Sequence, residues 1–310
     1  MSSLDAASLF SVNGLVAVVT GGGTGIGLMI ATALEHNGAT VYILGRRDEV
    51  LQTAARENAK HGKIIPIKAD VSDKSSLQAA VDKIEKEVGY INLLVNNSGT
   101  LGRRHNVLPR PAPFQPLDGK WTQGAGGDDF SNLDQVRDFL WKDDVEDWDN
   151  ILRVNVSGIW FTSIAFLGLL GKGNEKGNVV QKSQIVTVGS IGAFIRVLGT
   201  SFSYNPSKAA ANHLAKMLAT NFVQWGIRSN VIAPGIFPSE MSAGPATMDE
   251  KNRNQLPPQI PETEIPLKQP GDEQDMAAAI LYLAGVGGKY LNGNVVVVDG
   301  GRLGVQPAVY

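Results

Sequence analysis

Tyr204 and Lys208 stand four residues apart in the chain. Residues at positions i and i+4 of a helix lie on one face, so this spacing places a phenol beside an ammonium group. A free phenol has a pKa near ~10, which makes it a weak proton donor or acceptor at neutral pH. A neighbouring positive charge favours the phenolate and lowers that pKa. The pair is therefore a candidate acid–base group, although either residue alone is more typical of a half-buried aromatic or a solvated lysine.

A glycine-rich run, Gly-Gly-Gly-Thr-Gly-Ile-Gly, occupies residues 21–27. It follows an apolar stretch that predicts a strand and leads into a pattern that predicts a helix, which is the context that a dinucleotide-binding loop requires. Glycines allow a tight turn and a close approach of the backbone to phosphate, and the free N–H groups of a helix N-terminus attract anions. The run predicts a pyrophosphate site, and the alternative is a glycine-rich turn without a ligand.

Predicted strands alternate with predicted helices along most of the chain. Strands are predicted over 15–19, 40–44, 64–67, 91–95, 184–188, 229–233 and 294–298, and helices over 25–37, 49–60, 75–88, 145–170, 207–225 and 272–284. This alternation predicts an α/β fold with a doubly wound parallel sheet of about seven strands flanked by helices. Neither a repeat nor a linker divides the sequence, so residues 1–310 are expected to form one domain.

Two stretches interrupt this rhythm. Residues 100–129 contain four prolines and many glycines, which predicts a long irregular loop, and a second Pro-rich loop is predicted near 236–270. The first loop starts at the carboxyl end of a predicted central strand, the edge where open α/β sheets bind ligands. We therefore expect this insertion to border the substrate entrance, and the alternative is a surface loop or an oligomer contact.

Composition excludes several classes of function. The 310 residues are 43% hydrophobic and 19% charged with a net charge of −2, which lacks the basic patch that a nucleic-acid surface needs. The absence of Cys excludes disulfides and thiolate metal sites, and the four His residues show no metal-ligand spacing, so no metal is expected. Neither a signal segment nor an apolar run of ~18 residues is found. We therefore expect a cytoplasmic protein that binds neither nucleic acid nor membrane.

Several motifs occur in order along the chain, and together they resemble the short-chain dehydrogenase/reductase family, in particular its 3-oxoacyl-ACP-reductase-like ketoreductases. The motifs are the glycine loop from Gly21 to Gly27, Asp70-Val71, Asn96–Gly99, Asn155, Ser190, the Tyr204 and Lys208 pair, Pro234–Ser239 and Asp299–Gly301. The resemblance spans roughly Val12 to Leu303 and implies a Rossmann-type NAD(P)-binding catalytic domain.

The resemblance also implies a role for each residue of the site. Tyr204 is the general acid in reduction and the base in oxidation, and Lys208 lowers its pKa and binds the nicotinamide ribose. Ser190 hydrogen-bonds the substrate oxygen, and Asn155 holds a water that links Lys208 to solvent. The implied cofactor contacts are Gly21, Gly23, Thr24, Gly25, Ile26, Gly27, Arg46, Arg47, Asp70, Val71, Asn97, Gly99, Tyr204, Lys208, Pro234, Gly235, Ile236 and Ser239.

The choice between NADP(H) and NAD(H) depends on the end of the second predicted strand. An acidic residue at that position would bind the ribose 2′-hydroxyl and repel a phosphate. This chain instead has Gly45 followed by Arg46 and Arg47, and an arginine can hold a phosphate group with paired donors. The sequence predicts NADP(H) with Arg46 as the main contact, and the alternative is that both arginines cap a surface turn.

Together these residues predict an NADPH-dependent oxidoreductase that reduces a ketone to a secondary alcohol or catalyses the reverse reaction. Its substrate is a small-molecule carbonyl compound or alcohol. The alternatives are a non-redox enzyme and a catalytically silent NADP-binding protein on the same fold. The predicted helices 145–170 and 207–225 are rich in apolar residues, and such helices pack against partner copies in this family, so we expect a homodimer or homotetramer.

Overall fold

The computed structural model describes residues 4–103, 132–196, 201–242 and 260–309, so most of the first predicted long loop and about half of the second lie outside these ranges. Within them, seven parallel strands form one sheet in the order β3-β2-β1-β4-β5-β6-β7. The strands are β1 Val16–Thr20, β2 Thr40–Gly45, β3 Ile64–Lys68, β4 Leu93–Asn96, β5 Gln184–Val188, β6 Arg228–Pro234 and β7 Val295–Val298. The predicted α/β fold with a parallel sheet is confirmed.

Helices cover both faces of the sheet. They are α1 Ala6–Leu9, α2 Gly25–His36, α3 Asp48–Asn58, α4 Lys74–Glu87, α5 Leu133–Leu140, α6 Val145–Leu152, α7 Gly158–Ala165, α8 Leu167–Lys176, α9 Tyr204–Phe222 and α10 Glu273–Ala284. Side chains alternate between the two faces of a strand. In β1, Ala17 and Val19 pack with α2 and α10, whereas Val16 and Val18 pack with α4 and α8. The continuous apolar runs follow from this double burial.

The direction of winding changes at β1. The chain runs outward from β1 through β2 to β3 and then returns to add β4 on the other side of β1. The loops that follow β1 and β4 therefore leave the sheet in opposite directions and open a crevice at its carboxyl edge. A ligand of an open α/β sheet binds at such a point.

The prediction of a single helix over 145–170 is wrong, because the segment is interrupted twice. A π-helical turn, Arg153–Ser157, separates α6 from α7, and the chain bends by 45° at Phe166 before α8. Phe166 is fully buried and anchors this bend in the core. A π-turn inserts a residue into the helix and is frequent at functional sites. Here it contains the fully buried Asn155.

One further helix and one helix boundary differ from the predictions. Helix α5 was not predicted, although Asn132 and Gln135 form a capping box at its start, with hydrogen bonds of 3.0 and 3.1 Å between each side chain and the other residue's backbone N–H. Helix α9 begins at Tyr204 rather than at Ser207. Pro206 consequently lies in its first turn, where the missing N–H removes no helical hydrogen bond.

Among the described residues, no single helix combines the length and hydropathy needed to cross a membrane. The bent pair formed by Val145–Ala165 and Leu167–Lys176 meets these requirements together, by length and composition only.

Candidate active site

A cavity of about 530 Å³ lies at the carboxyl edge of the sheet, beside the point where the winding changes direction. Its lining comes from the ends of β1, β2, β4 and β5, from the residues after β3, and from α2 and α9. Most of the predicted cofactor contacts lie in it, namely Gly21, Gly23, Thr24, Gly25, Ile26, Gly27, Arg46, Arg47, Asp70, Val71, Asn97, Gly99, Tyr204, Lys208 and Ser239.

The glycine loop adopts a conformation that its sequence makes possible. Gly21 and Gly25 have positive φ angles of 64° and 50°, in the left-handed region that favours glycine. A Cβ atom on Gly27 would lie 2.2 Å from the Gly21 carbonyl oxygen, so no larger residue fits there. Thr24 precedes α2 without capping it through its side chain. The free N–H groups of this helix N-terminus therefore border the cavity and can bind a pyrophosphate.

Thr20, which the sequence analysis missed, connects this loop to the end of β4. Its hydroxyl oxygen accepts hydrogen bonds from the backbone N–H groups of Asn97 and Ser98, both at 3.0 Å. The Asn97 side-chain amide donates in return to the carbonyl oxygens of Thr20 and Gly21, at 2.9 and 3.2 Å. These bonds fix the two loops on either side of the crevice relative to each other. The available signal in the sequence was a polar residue, Thr20, directly after an apolar run that predicts a strand.

Tyr204 and Lys208 line the cavity, and Ser190 lies next to Tyr204 but outside the lining. Tyr204 and Lys208 are 8% and 4% exposed, and the Lys208 Nζ lies 5.7 Å from the centre of the Tyr204 ring. Lys208 Nζ also donates a 2.9 Å hydrogen bond to the carbonyl oxygen of Val188, the last residue of β5. Ser190 follows two residues later and lies close to Tyr204: a Cβ atom on Gly192 would lie 3.2 Å from Ser190 Oγ and 3.5 Å from Tyr204 Cε1. The i, i+4 geometry predicted for the pair is the geometry that α9 adopts.

Asn155 joins this group from the π-turn. Its Oδ1 accepts the backbone N–H of Thr100 at 2.8 Å, and its Nδ2 donates to the Thr100 carbonyl oxygen and to Ser207 Oγ, both at 3.0 Å. A Cβ atom on Gly99 would lie 3.4 Å from Asn155 Oδ1 and 3.6 Å from Lys208 Nζ, so this glycine lies between the two side chains. Asn155 therefore connects the loop after β4 to α9. The water-holding role implied by the resemblance stays a prediction.

Burial shifts the pKa values of both members of the acid–base pair toward their neutral forms. It raises the pKa of the Tyr204 phenol, and the hydrogen bond from Ser190 opposes this shift. Burial also lowers the pKa of Lys208 to about 8. The lowering of the Tyr204 pKa that the spacing predicts is therefore not the net effect, because desolvation of the phenol outweighs the favourable contacts.

Arg46 and Arg47 lie on the cavity wall in different environments. The Arg47 Nη2 donates to both carboxylate oxygens of Glu240, at 3.1 and 2.9 Å, and this ion pair connects the turn after β2 to the loop after β6. Arg46 is exposed, lines the cavity and makes no ion pair with any residue that the structure describes. Glu240 was not among the predicted contacts, because its position opposite Arg47 depends on the folded course of the loop after β6.

Three predicted cofactor contacts lie elsewhere. Pro234 is the last residue of β6, and Gly235 packs on Asp299, to whose Cα a Cβ on this glycine would come within 2.8 Å. Ile236 lines a second cavity of about 340 Å³ between the loop after β6 and the end of β7. Their roles in cofactor binding stay predictions. Of the same segment, Ser239 does line the first cavity.

No cluster of three or more His, Cys, Asp or Glu side chains suited to a metal ion occurs in the part of the chain that the structure describes. The polar groups around the cavity are instead backbone N–H groups, arginines and the Tyr204 and Lys208 side chains. This set of groups suits an anionic organic ligand.

The comparisons with known proteins agree with the fold. The family profile described as short chain dehydrogenase matches residues 15–118, and the one described as Enoyl-(Acyl carrier protein) reductase matches residues 134–302. A short-chain dehydrogenase/reductase of Diaporthe leptostromiformis, PhomF, is 48% identical over 99% of this chain and 98% of its own length. The chain belongs to the short-chain dehydrogenase/reductase family.

Two bacterial comparisons concern a named reductase activity and a cofactor complex. The rhamnolipids biosynthesis 3-oxoacyl-[acyl-carrier-protein] reductase of Pseudomonas aeruginosa is 30% identical over 94% of this chain and 97% of its own. The solved active-site complex of Pseudomonas aeruginosa RhlG with NADP superposes with a TM-score of 0.72 at 28% identity, over 95% of this chain and 98% of that one. The predicted likeness to 3-oxoacyl-ACP reductases is confirmed.

Replacing Lys208 by Met is expected to raise the free energy of unfolding at pH 7 by roughly 1–3 kcal/mol. The folded-state pKa of about 8 lies below the ordinary value of 10.5, so the unfolded chain holds the proton more firmly and the buried charge destabilises the fold. This penalty is complete below pH 8 and disappears as the pH rises toward the unfolded-state value.

Urea unfolding at pH 7 and pH 10 measures this effect, with the exposed Lys216→Met on the same helix as the matched control. The stabilisation by Lys208→Met should shrink at pH 10. A variant that is less stable than wild type at pH 7 would show that Lys208 makes a net favourable contribution to folding.

Proposed function

We propose that this protein reduces a ketone to a secondary alcohol with NADPH, or catalyses the reverse oxidation. The observation that carries the proposal is the proximity of Ser190 to Tyr204, with the buried Lys208 ammonium beside the phenol and both Tyr204 and Lys208 lining the cavity. The glycine loop, with its close backbone approach at Gly27, fits the pyrophosphate of such a cofactor. Bound NADPH would supply the hydride.

The protein's own residues supply the proton and orient the carbonyl group. Ser190 and Tyr204 are both hydroxyl donors, and together they can hold one carbonyl oxygen. Because burial raises its pKa, Tyr204 stays protonated at neutral pH and is ready to act as the donor. Proton transfer leaves a phenolate, and the Lys208 ammonium 5.7 Å from the ring offsets that charge. With a pKa of about 8, Lys208 still carries its charge at pH 7.

The alternative functions use the same cavity without this proton transfer. A catalytically silent NADP-binding protein would need the cofactor residues but not a tyrosine and lysine buried together behind them. A non-redox enzyme would use the pair for a different proton transfer. The joint burial of Tyr204 and Lys208 in the cavity lining favours turnover, since an ammonium group is costly to bury without a role.

Tyr204→Phe is expected to lower kcat by about 10²–10⁴-fold and to leave NADPH binding unchanged, because it removes a proton donor and little packing. Steady-state rates with a ketone panel and NADPH fluorescence titration measure the two quantities. Tyr290→Phe, at a 98% exposed position, is the control for loss of a phenol. Turnover within a few-fold of wild type would mean that another group delivers the proton.

We propose NADP(H) rather than NAD(H) as the cofactor. The exposed guanidinium of Arg46 on the cavity wall supports this, since it is available to a 2′-phosphate while Arg47 is paired with Glu240. The solved complex of RhlG with NADP, with which this chain superposes, is consistent with the same choice.

Arg46→Ala is expected to weaken NADPH binding by roughly 10- to 100-fold, the equivalent of one charge-assisted hydrogen-bonding contact, and to leave NADH binding nearly unchanged. Arg47→Ala is the matched control, and we expect a smaller loss because its charge is already offset by Glu240. Dissociation constants for both cofactors measure the effect. An equal loss for NADH and NADPH in Arg46→Ala would contradict recognition of the 2′-phosphate.

We propose a partly apolar carbonyl compound of medium or large size as the substrate, and a cytoplasmic location on the basis of the sequence. Met241 lines the cavity and supplies apolar surface there. The insertion after β4 is proposed to border the entrance. Its first residue, Thr100, lines the cavity and is held by Asn155, and Arg103 is bonded to Asp143 at 3.1 Å.

The apolar face of α7 supports a homodimer or homotetramer. Trp160, Phe161 and Ile164 are 41%, 39% and 37% exposed on this helix, whereas Phe166 and Leu218, apolar residues of the two helices predicted to form the interface, are buried in the core. Clustered exposed apolar side chains mark an interface more often than isolated ones do.

Light scattering at micromolar concentration is expected to give the mass of a dimer or tetramer. Trp160→Glu should lower that mass, and Trp141→Glu, at an 85% exposed position on another element, should not. A monomeric wild-type protein would contradict the proposal.

A further inference from the structure

The C-terminal segment 302–309, here called the C-terminal strap, pairs with the loop that follows β5. Ile195 and Ala308 form an antiparallel β-bridge. The Arg196 N–H donates to the Pro307 carbonyl oxygen at 2.8 Å, and the Val309 N–H donates to the Phe194 carbonyl oxygen at 2.9 Å. Chain ends are usually poorly ordered unless they are tied down in this way.

The other end of the strap is anchored to the loop that follows β6. The Asp299 carboxylate accepts the N–H groups of Gly301 and Leu303, at 2.9 and 2.7 Å, and so fixes the chain as it leaves β7. The Arg302 side chain, largely buried, lies 3.8 Å from Glu264. The strap therefore connects two loops that leave the carboxyl edge of the sheet at β5 and β6.

The paired loop carries Ser190, one of the two residues that contact the substrate oxygen in the proposed function. Ser190 begins it, and the strap binds it at residues 194–196, only a few residues later in the chain. Ser201 lies three residues before α9, and its Oγ accepts the Tyr204 N–H at 3.0 Å and so sets the start of this helix. Neither the strap nor residues 190–196 line the cofactor cavity, among the residues that the structure describes.

We propose that Pro307 and Val309 are positioning residues for Ser190, and that the strap sets the substrate side of the site without contributing to cofactor binding. Without the pairing, the loop would have to be ordered in each catalytic cycle, and a small misplacement of an orienting group lowers the rate substantially. The effect of the strap on turnover rests on the proposed function, whereas its effect on the order of the loop does not.

Val309→Pro tests the proposal at a single bond. Proline removes the N–H that donates to Phe194, suits an extended edge segment, and replaces a side chain that is 64% exposed. Val309→Ala is the matched control, because it removes the side chain and keeps the N–H. We expect Val309→Pro to lower kcat/KM for a reduced ketone by about 5- to 20-fold, as the loss of a hydrogen bond implies, with the dissociation constant of NADPH unchanged.

Hydrogen exchange of residues 190–203 in the same two variants provides a reading that is independent of turnover. Faster exchange in Val309→Pro than in Val309→Ala, together with the fall in kcat/KM, is the expected result. Equal kcat/KM and equal exchange in the two variants would overturn the proposal. A loss of NADPH affinity in Val309→Pro as large as its fall in kcat/KM would overturn it too. A wild-type protein that is inactive with every ketone would contradict the proposed function alone, and the exchange comparison would still decide whether the strap orders the loop.

Discussion

The burial of the Lys208 ammonium group at the carboxyl edge of the sheet is the constraint on which the arrangement of this site depends. A buried charge is costly unless it is hydrogen-bonded and held in a fixed place. The Val188 carbonyl oxygen supplies that bond at 2.9 Å, and it lies at the end of a strand whose neighbours fix it on both sides. The side chain can therefore stay at 4% exposure within reach of the Tyr204 ring.

Desolvation acts on the two members of the pair in a complementary way. It raises the pKa of the phenol and lowers the pKa of the amine to about 8, so each group is pushed toward its neutral form. In the proposed reaction the phenol holds its proton until an acceptor arrives, while the amine is still mostly charged at neutral pH. The pair can thus supply a proton and stabilise the phenolate that remains, and Ser190 opposes the upward shift on the same oxygen.

Local sequence patterns predicted the parts of this structure that local physics determines. Continuous apolar strands, the glycine loop between β1 and α2, and the helical spacing of Tyr204 and Lys208 all follow from short-range rules. The π-turn around Asn155, the Arg47 and Glu240 ion pair, and the backbone pairing of Val309 with Phe194 do not. Each of these depends on which segments the fold brings together. Helix α5 is different, because its capping box was visible in the sequence.

The most direct measurement is the fate of the hydride. The protein is incubated with NADPH carrying deuterium at the transferable position, together with a panel of ketones, and the products are analysed by mass spectrometry. We expect deuterium on the carbinol carbon of a secondary alcohol, in an amount that matches the loss of reduced-nicotinamide absorbance. Tight NADPH binding without deuterium transfer to any ketone would contradict it and would identify a cofactor-binding protein that does not reduce carbonyl compounds.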